Sequence, residues 1–110
     1  MTDFFEVIST PDAEQDLNEI FEYISTVLLE PRTALNYLKK LSEGIGKLSY
    51  QAEITPVIEE EPWHSLEIRK TLIENFFIYY RVDRNRRTVY ILNVIYARRD
   101  QLKAFSGKND

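Results

Sequence analysis

Residues 71–100 read TLIENFFIYYRVDRNRRTVYILNVIYARRD, and the fold turns on how the two β-patterned runs inside this stretch are faced. Phe76 to Val82 alternates, with Phe76, Ile78, Tyr80 and Val82 on one face and Phe77, Tyr79 and Arg81 on the other, the period of a half-buried strand. Thr88 to Tyr96 is apolar on both faces: Val89, Ile91 and Ile95 lie opposite Tyr90, Leu92, Val94 and Tyr96, as in a strand inside a sheet covered on both sides. Asn93 is its only strongly polar interior position. Between the runs, Asp83-Arg84-Asn85-Arg86-Arg87 contains Asp and Asn, which tolerate left-handed backbone, and predicts an antiparallel hairpin with a cationic tip. Upstream, Ser65 to Leu72 reads as a further strand that turns back at Glu74-Asn75, giving a three-stranded meander.

The first half of the chain supplies what this sheet packs against. Thr10 caps a helix whose first turn holds Pro11, Asp12 and Glu14, a proline where its missing N–H costs nothing and carboxylates where the helix dipole favours them. Ala13, Leu17, Ile20, Phe21, Ile24 and Leu28 repeat at helical spacing, and Pro31 is expected to end the segment by disfavouring helical backbone at Glu30. A second helix carries Ala34, Leu38, Leu41, Ile45 and Leu48 on one stripe, with Gly44 and Gly46 weakening its last turns by roughly 1 kcal/mol each relative to Ala. Phe4 to Ser9 is a short strand, residues 49–63 a loop, Gln101 to Phe105 a last helical turn, and residues 107–110 a loose tail. The expected architecture is α+β, β-α-α-β-β-β with a short C-terminal helix: an antiparallel sheet with an αα-hairpin across it. The expected core is Leu17, Ile20, Phe21, Leu38, Leu41, Ile78, Tyr80, Ile91 and Leu92.

A chain of 110 residues is of a size to form one domain, burying roughly two-thirds of its unfolded surface without staples. Cysteine is absent, which rules out disulfides and fits a reducing cytoplasm. No apolar run is long enough to span a membrane, and Asp3 and Glu6 are unlike the start of a signal peptide. The net charge of −4 conceals an asymmetry: residues 1–63 hold four Lys/Arg against thirteen Asp/Glu, and residues 64–110 hold ten against five. The helices are therefore acidic and the sheet and tail basic, so an acidic chain still offers a cationic surface to an anionic partner.

The order of these elements resembles a known family. An acidic-capped first helix of the type TPDAEQDLNEIFEYI, the strand containing LEIRK, the FFIYYRVD strand and the ILNVIYARRD ending together resemble the RelE/ParE superfamily of toxins from bacterial type II toxin–antitoxin operons, over residues 3–105. The resemblance implies a cognate antitoxin that wraps the toxin in a hetero-oligomer. It also implies growth arrest, either by cleavage of messenger RNA on the ribosome or by poisoning of DNA gyrase.

Cleavage of RNA through its 2′-hydroxyl needs a base, an acid for the leaving oxygen and cations for the developing phosphorane charge. Mapped from nuclease members, Arg69, Lys70 and Arg81 supply positive charge and Tyr96, near Arg98 and Arg99, takes the position at the end of the last strand. The chain departs from that pattern, since Phe76-Phe77 stands where nuclease members often carry an arginine and the lysine-rich approach is reduced to Lys70. Arg69, in LEIRK, resembles instead the single arginine of gyrase-directed and plasmid-stabilisation members. The expectation is a toxin acting by protein binding through Arg69, Arg81, Arg98 and Arg99; the alternatives are a ribosome-dependent endonuclease and a family member that keeps only antitoxin binding.

Other residues carry plainer readings. His64 is the only histidine and reads as a surface or packing residue, and with no second His and no Cys a metal site is not expected. Glu59 to Glu61 read as a solvated loop. Tyr79, Tyr80, Tyr90 and Tyr96 read as packing tyrosines, with base stacking the alternative that their basic neighbours keep open. No cofactor is expected, since there is no Gly-rich phosphate loop.

Overall fold

The computed structural model describes residues 4–27 and 31–97. Its elements are β1 (Glu6–Ser9), α1 (Pro11–Glu22), α2 (Pro31–Gly46), α3 (Leu48–Gln51), β2 (Ile68–Ile73), β3 (Phe76–Asp83) and β4 (Thr88–Tyr96). The strands form one sheet in the order β1-β4-β3-β2. The meander β2-β3-β4 is antiparallel as expected, and β1 completes a mixed sheet by pairing parallel to β4, Glu6 with Thr88 through Ser9 with Ile91. The expected C-terminal helix and the tail lie outside the described residues.

Local chemistry explains the boundaries. Thr10 caps α1, its side chain accepting a hydrogen bond from the Ala13 N–H at 3.3 Å. After Glu22 the helix widens into a π-helical turn over Tyr23–Val27, with the Thr26 hydroxyl donating to the Glu22 carbonyl. Pro31 opens α2: its locked φ suits a first helical position, where no N–H is required. Glu74 and Asn75 both adopt positive φ, 48° and 69°, the conformation of a two-residue hairpin turn that matches strand twist. In the β3–β4 connection the left-handed residue is Arg87, φ 49°, while Asp83 acts through its side chain by accepting the Arg86 N–H at 3.1 Å. The segment 49–63, expected as a loop, begins inside α3, and Ser49 closes the outer edge of β1 by accepting the Phe5 N–H and donating its hydroxyl to the Phe5 carbonyl at 2.7 Å.

Along β4 the facing differs from the simple alternation. Tyr80 pairs with Ile91 but Tyr79 pairs with Asn93, so Leu92 is an extra residue, a β-bulge, on β4. Uninterrupted pairing would set Asn93 opposite Ile78, which has no exposed surface. Burying that amide without partners costs on the order of 1–3 kcal/mol. The bulge puts Val94 opposite Ile78 in its place, and Val94 is buried. Helix α1 holds the bulge: the Thr10 hydroxyl donates to the carbonyls of Ile91 at 2.8 Å and Leu92 at 3.3 Å. Asp16 accepts the Val94 N–H at 2.9 Å and the Asn93 amide at 3.3 Å. Val94 and Tyr96 therefore join Val89 and Ile91 on the face toward the helices, and Ile95 leaves it.

The core sits between this face and the helical hairpin. Leu41, Ile78, Tyr80, Val89 and Ile91 are fully buried, with Phe76, Ile45, Leu48 and Ala52 around them. Leu17 and Ile20 pack against the cluster half-buried, Phe21 and Leu38 are also half-buried, and Leu92, expected in the core, is half-buried because it is the bulge residue. Gly44 has a reason beyond helix propensity: a Cβ there would stand 2.5 Å from Ile73 Cγ2, so α2 approaches β2 as closely as a hydrogen atom allows.

Candidate functional site

The face of the sheet turned away from the helices carries a cationic, aromatic surface. Since Phe76, Ile78 and Tyr80 point into the core, the register assigns Ile68, Lys70 and Leu72 of β2, Phe77, Tyr79 and Arg81 of β3, and Tyr90 and Ile95 of β4 to the open side. The Lys70 ammonium lies 4.0 Å from the Phe77 ring centroid and 5.4 Å from that of Tyr79, and the Arg81 guanidinium lies 5.6 Å from Tyr90. Such contacts contribute about 0.5–1 kcal/mol at exposed sites. They fix two cations on a bed of rings, and none of these eight positions holds a carboxylate.

Arg69 faces the other way. Its guanidinium donates to the carbonyls of Thr55 and, at 3.4 Å, Glu53, just beyond the C-terminus of α3, where a cation complements the helix dipole. Two further side chains hold the same stretch. The Tyr80 hydroxyl donates to the Ala52 carbonyl at 2.7 Å, and Arg84 makes an ion pair with Glu53. Burial pushes the Tyr80 phenol above its usual range, opposed by a hydrogen bond with the Thr55 side chain and by the Arg69 charge. Tyr96 also lies on the helix side, opposite Phe76, with ring centroids 5.3 Å apart, and Tyr37 completes the aromatic row 6.3 Å from Phe76.

The candidates named from the sequence thus divide between two faces. Lys70 and Arg81 share the open surface; Arg69 and Tyr96 are on the helix side, Tyr96 at the strand end with 42% of its surface exposed; Arg98 and Arg99 lie outside the described residues. The bulge at Leu92 makes the division, because unbroken alternation would have carried Tyr96 to the open side with Tyr90. His64 is exposed on the loop with its Nδ1 3.0 Å from the Ile58 carbonyl, and Glu61 is held below the usual carboxylate range by hydrogen bonds from the Ser65 hydroxyl and N–H. Among the described residues no group of His, Cys, Asp and Glu is arranged to hold a metal, and no helix is long and apolar enough to cross a membrane.

A second surface is a groove of about 390 Å³ between the helices and the outer edge of β2. Its walls are Lys40, Glu43, Gly44 and Lys47 on one side and Thr71, Leu72, Ile73 and Glu74 on the other, with Leu48 and Gln51 at one end. The signal was present in Gly44, whose missing side chain brings helix and strand edge together.

The chain is thus an α+β domain, a helical hairpin across one face of a four-stranded mixed sheet whose other face carries Lys70 and Arg81 among aromatic rings. Residues 7–101 match the family described as the ParE toxin of the type II toxin–antitoxin system parDE, and the chain belongs to that family. Among solved structures, the chain resembles the chromosomal ParDE toxin–antitoxin system from P. aeruginosa, with a TM-score of 0.69 at 22% identity over 86% of this chain and 98% of that one. It also resembles the toxin–antitoxin complex RelBE2 from Mycobacterium tuberculosis, with a TM-score of 0.57 at 21% identity over 87% of this chain and 93% of that one. At these identities the likeness is one of fold. No curated protein matches the chain.

Proposed function

We propose that this chain is a cytoplasmic toxin that arrests growth by binding an essential protein of the DNA gyrase kind, and that a cognate antitoxin neutralises it. The observation that carries the binding reading is the separation of Tyr96 from Lys70 and Arg81. A ribonuclease of the RelE type would need its proton-transfer group and its phosphate-neutralising cations at one phosphodiester, within about 3 Å of the reacting atoms. Here the bulge turns the tyrosine, 42% exposed, to the helix side of the sheet, away from Lys70 and Arg81, where its ring packs on Phe76. The open face, with Lys70 and Arg81 set among Phe77, Tyr79 and Tyr90, has the mixed aromatic and cationic character of a protein-binding surface. Arg98 and Arg99, which follow β4 in sequence, are proposed to add charge-assisted contacts to the target.

Induction in growing cells tests this reading against catalysis. Y96F is expected to arrest growth as wild type does, whereas the double variant K70A/R81A should lose arrest while still binding the antitoxin. Primer extension on messenger RNA provides the opposite outcome: new codon-positioned ends that vanish in Y96F would overturn the binding reading. Intact transcripts with a DNA-damage response would support a gyrase-like target.

A further inference from the structure

We infer that the free edge of β1 pairs antiparallel with β1 of a second copy of this chain, joining two four-stranded sheets into one about a two-fold axis. The direction of the backbone groups is the starting point. The N–H groups of Glu6 and Thr10 donate inward, to the Arg87 carbonyl at 2.8 Å and the Ile91 carbonyl at 3.0 Å. The Phe5 N–H points the other way, to the Ser49 carbonyl at 2.8 Å. Backbone groups alternate along a strand, so the N–H and C=O of Val7 and Ser9 point outward as well. Neither residue has a partner on that side among the described residues.

The surroundings of β1 leave one register for that pairing. Setting Val7 opposite Val7 of the second copy would bring Ser9 against Phe5, whose N–H and C=O are already held by Ser49. Setting Ser9 opposite Ser9 would bring Val7 against Pro11, which has no N–H to give. With Val7 opposite Ser9 and Ser9 opposite Val7, both pairs exchange both of their hydrogen bonds. Thr10 keeps the extended backbone that this requires, φ −70° and ψ 163°, and the second chain leaves the edge at Pro11, where α1 begins.

The same register makes Ile8 its own partner. Ile8 lies on the open side of the sheet beside Tyr90, 39% exposed, and on the two-fold axis it meets Ile8 of the second copy as a close, non-hydrogen-bonded pair. Phe4 and Tyr50, both exposed and 5.9 Å apart edge to face, stand at the end of the edge where Pro11 of the second copy falls. No lysine, proline or bulge lies within Glu6–Ser9, so β1 lacks the devices that keep an edge strand single. Glu6, its one charge, falls opposite Thr10 and not opposite another carboxylate. An edge that fits its own copy in this way is what a two-fold interface requires. Ile68, Arg81, Tyr90 and Ile8 form a row across each sheet, so the pairing sets two such rows end to end with an Arg81 on either side of the axis.

Sedimentation equilibrium of the purified full chain should show a reversible dimer, and I8K, which sets like charges against each other on the axis, should raise its dissociation constant at least about tenfold. The chain has no cysteine, so I8C supplies its only thiol. Opposed residues of a non-hydrogen-bonded pair have Cα atoms about 4.5 Å apart, within the range a disulfide spans, whereas the two copies of Glu6 lie far outside it. On mild oxidation I8C should therefore form a disulfide-linked dimer at least about tenfold faster than E6C, an exposed thiol on the same face. A monomer at every concentration, or I8C linking no faster than E6C, overturns the inference. A dimer that I8K leaves intact overturns it as well, since another surface would then hold the copies together. Should I8K fail to fold, the comparison of I8C with E6C decides alone.

Discussion

Arg69 and Lys70 are adjacent in the chain and occupy opposite faces of one sheet. On the covered face Arg69 joins Tyr80 and Arg84 in fastening the stretch from Ala52 to Thr55, so its charge is consumed by carbonyls of the protein itself. On the open face Lys70 and Arg81 lie over aromatic rings, Lys70 on Phe77 and Arg81 on Tyr90. The parity of a position along the strand thus decides which face of the sheet its cation occupies.

The core is where this contrast is expected to show its largest effect. Ile91, fully buried on the covered face, should cost about 2–5 kcal/mol when truncated to Ala, whereas Leu92 at the bulge, half-buried, should cost less than half as much. Denaturant midpoints of I91A and L92A measure both, and equal losses would mean that β4 runs without its bulge. The next effect separates the two cations. R69A should destabilise by about 1–3 kcal/mol through the two carbonyls it leaves, and K70A should stay within about 0.5 kcal/mol while weakening growth arrest. A K70A chain as unstable as R69A would break the division of labour between the faces.

The smallest effect concerns Tyr80. Removing its hydroxyl in Y80F should cost about 1–2 kcal/mol, since the Ala52 carbonyl loses its donor. The raised phenol pKa adds a pH signature. An unfolded tyrosine ionises near about pH 10, while the buried one stays protonated to higher pH. The stabilisation is therefore complete below about pH 10 and is lost as the pH rises through the folded-state value. Thermal melts between about pH 8 and 11 should show a steeper alkaline decline in wild type than in Y80F; parallel curves would place the hydroxyl in contact with water.

Much of the fold was legible because its signals are local. The Thr10-Pro11 start, the alternation from Phe76 to Val82 and the turn at Glu74-Asn75 each depend on a few neighbouring residues, and all three stand in the structure. What was not legible depends on contacts across the chain. The parallel pairing of β1 with β4 spans some eighty residues, and the bulge is set by Asp16 and Thr10 on a distant helix. Asn93 was the sequence's own hint: a lone amide in an apolar strand argues for a change of phase, and placing it there would have turned Tyr96 correctly. Arg69 was recognised as a distinctive residue, but its partners are carbonyls, which a sequence does not display.

The bulge also determines how the chain tolerates changes of length. Loss of a residue inside a sheet strand ordinarily exchanges inside for outside along everything that follows. At Leu92 the arithmetic is reversed: with that residue gone, Ile91 and Asn93 become consecutive and still meet Tyr80 and Tyr79, so both faces keep their membership. Relatives that are one residue shorter at this point would preserve every facing in β4, and comparisons between such chains should place the gap at position 92 and nowhere else in the strand.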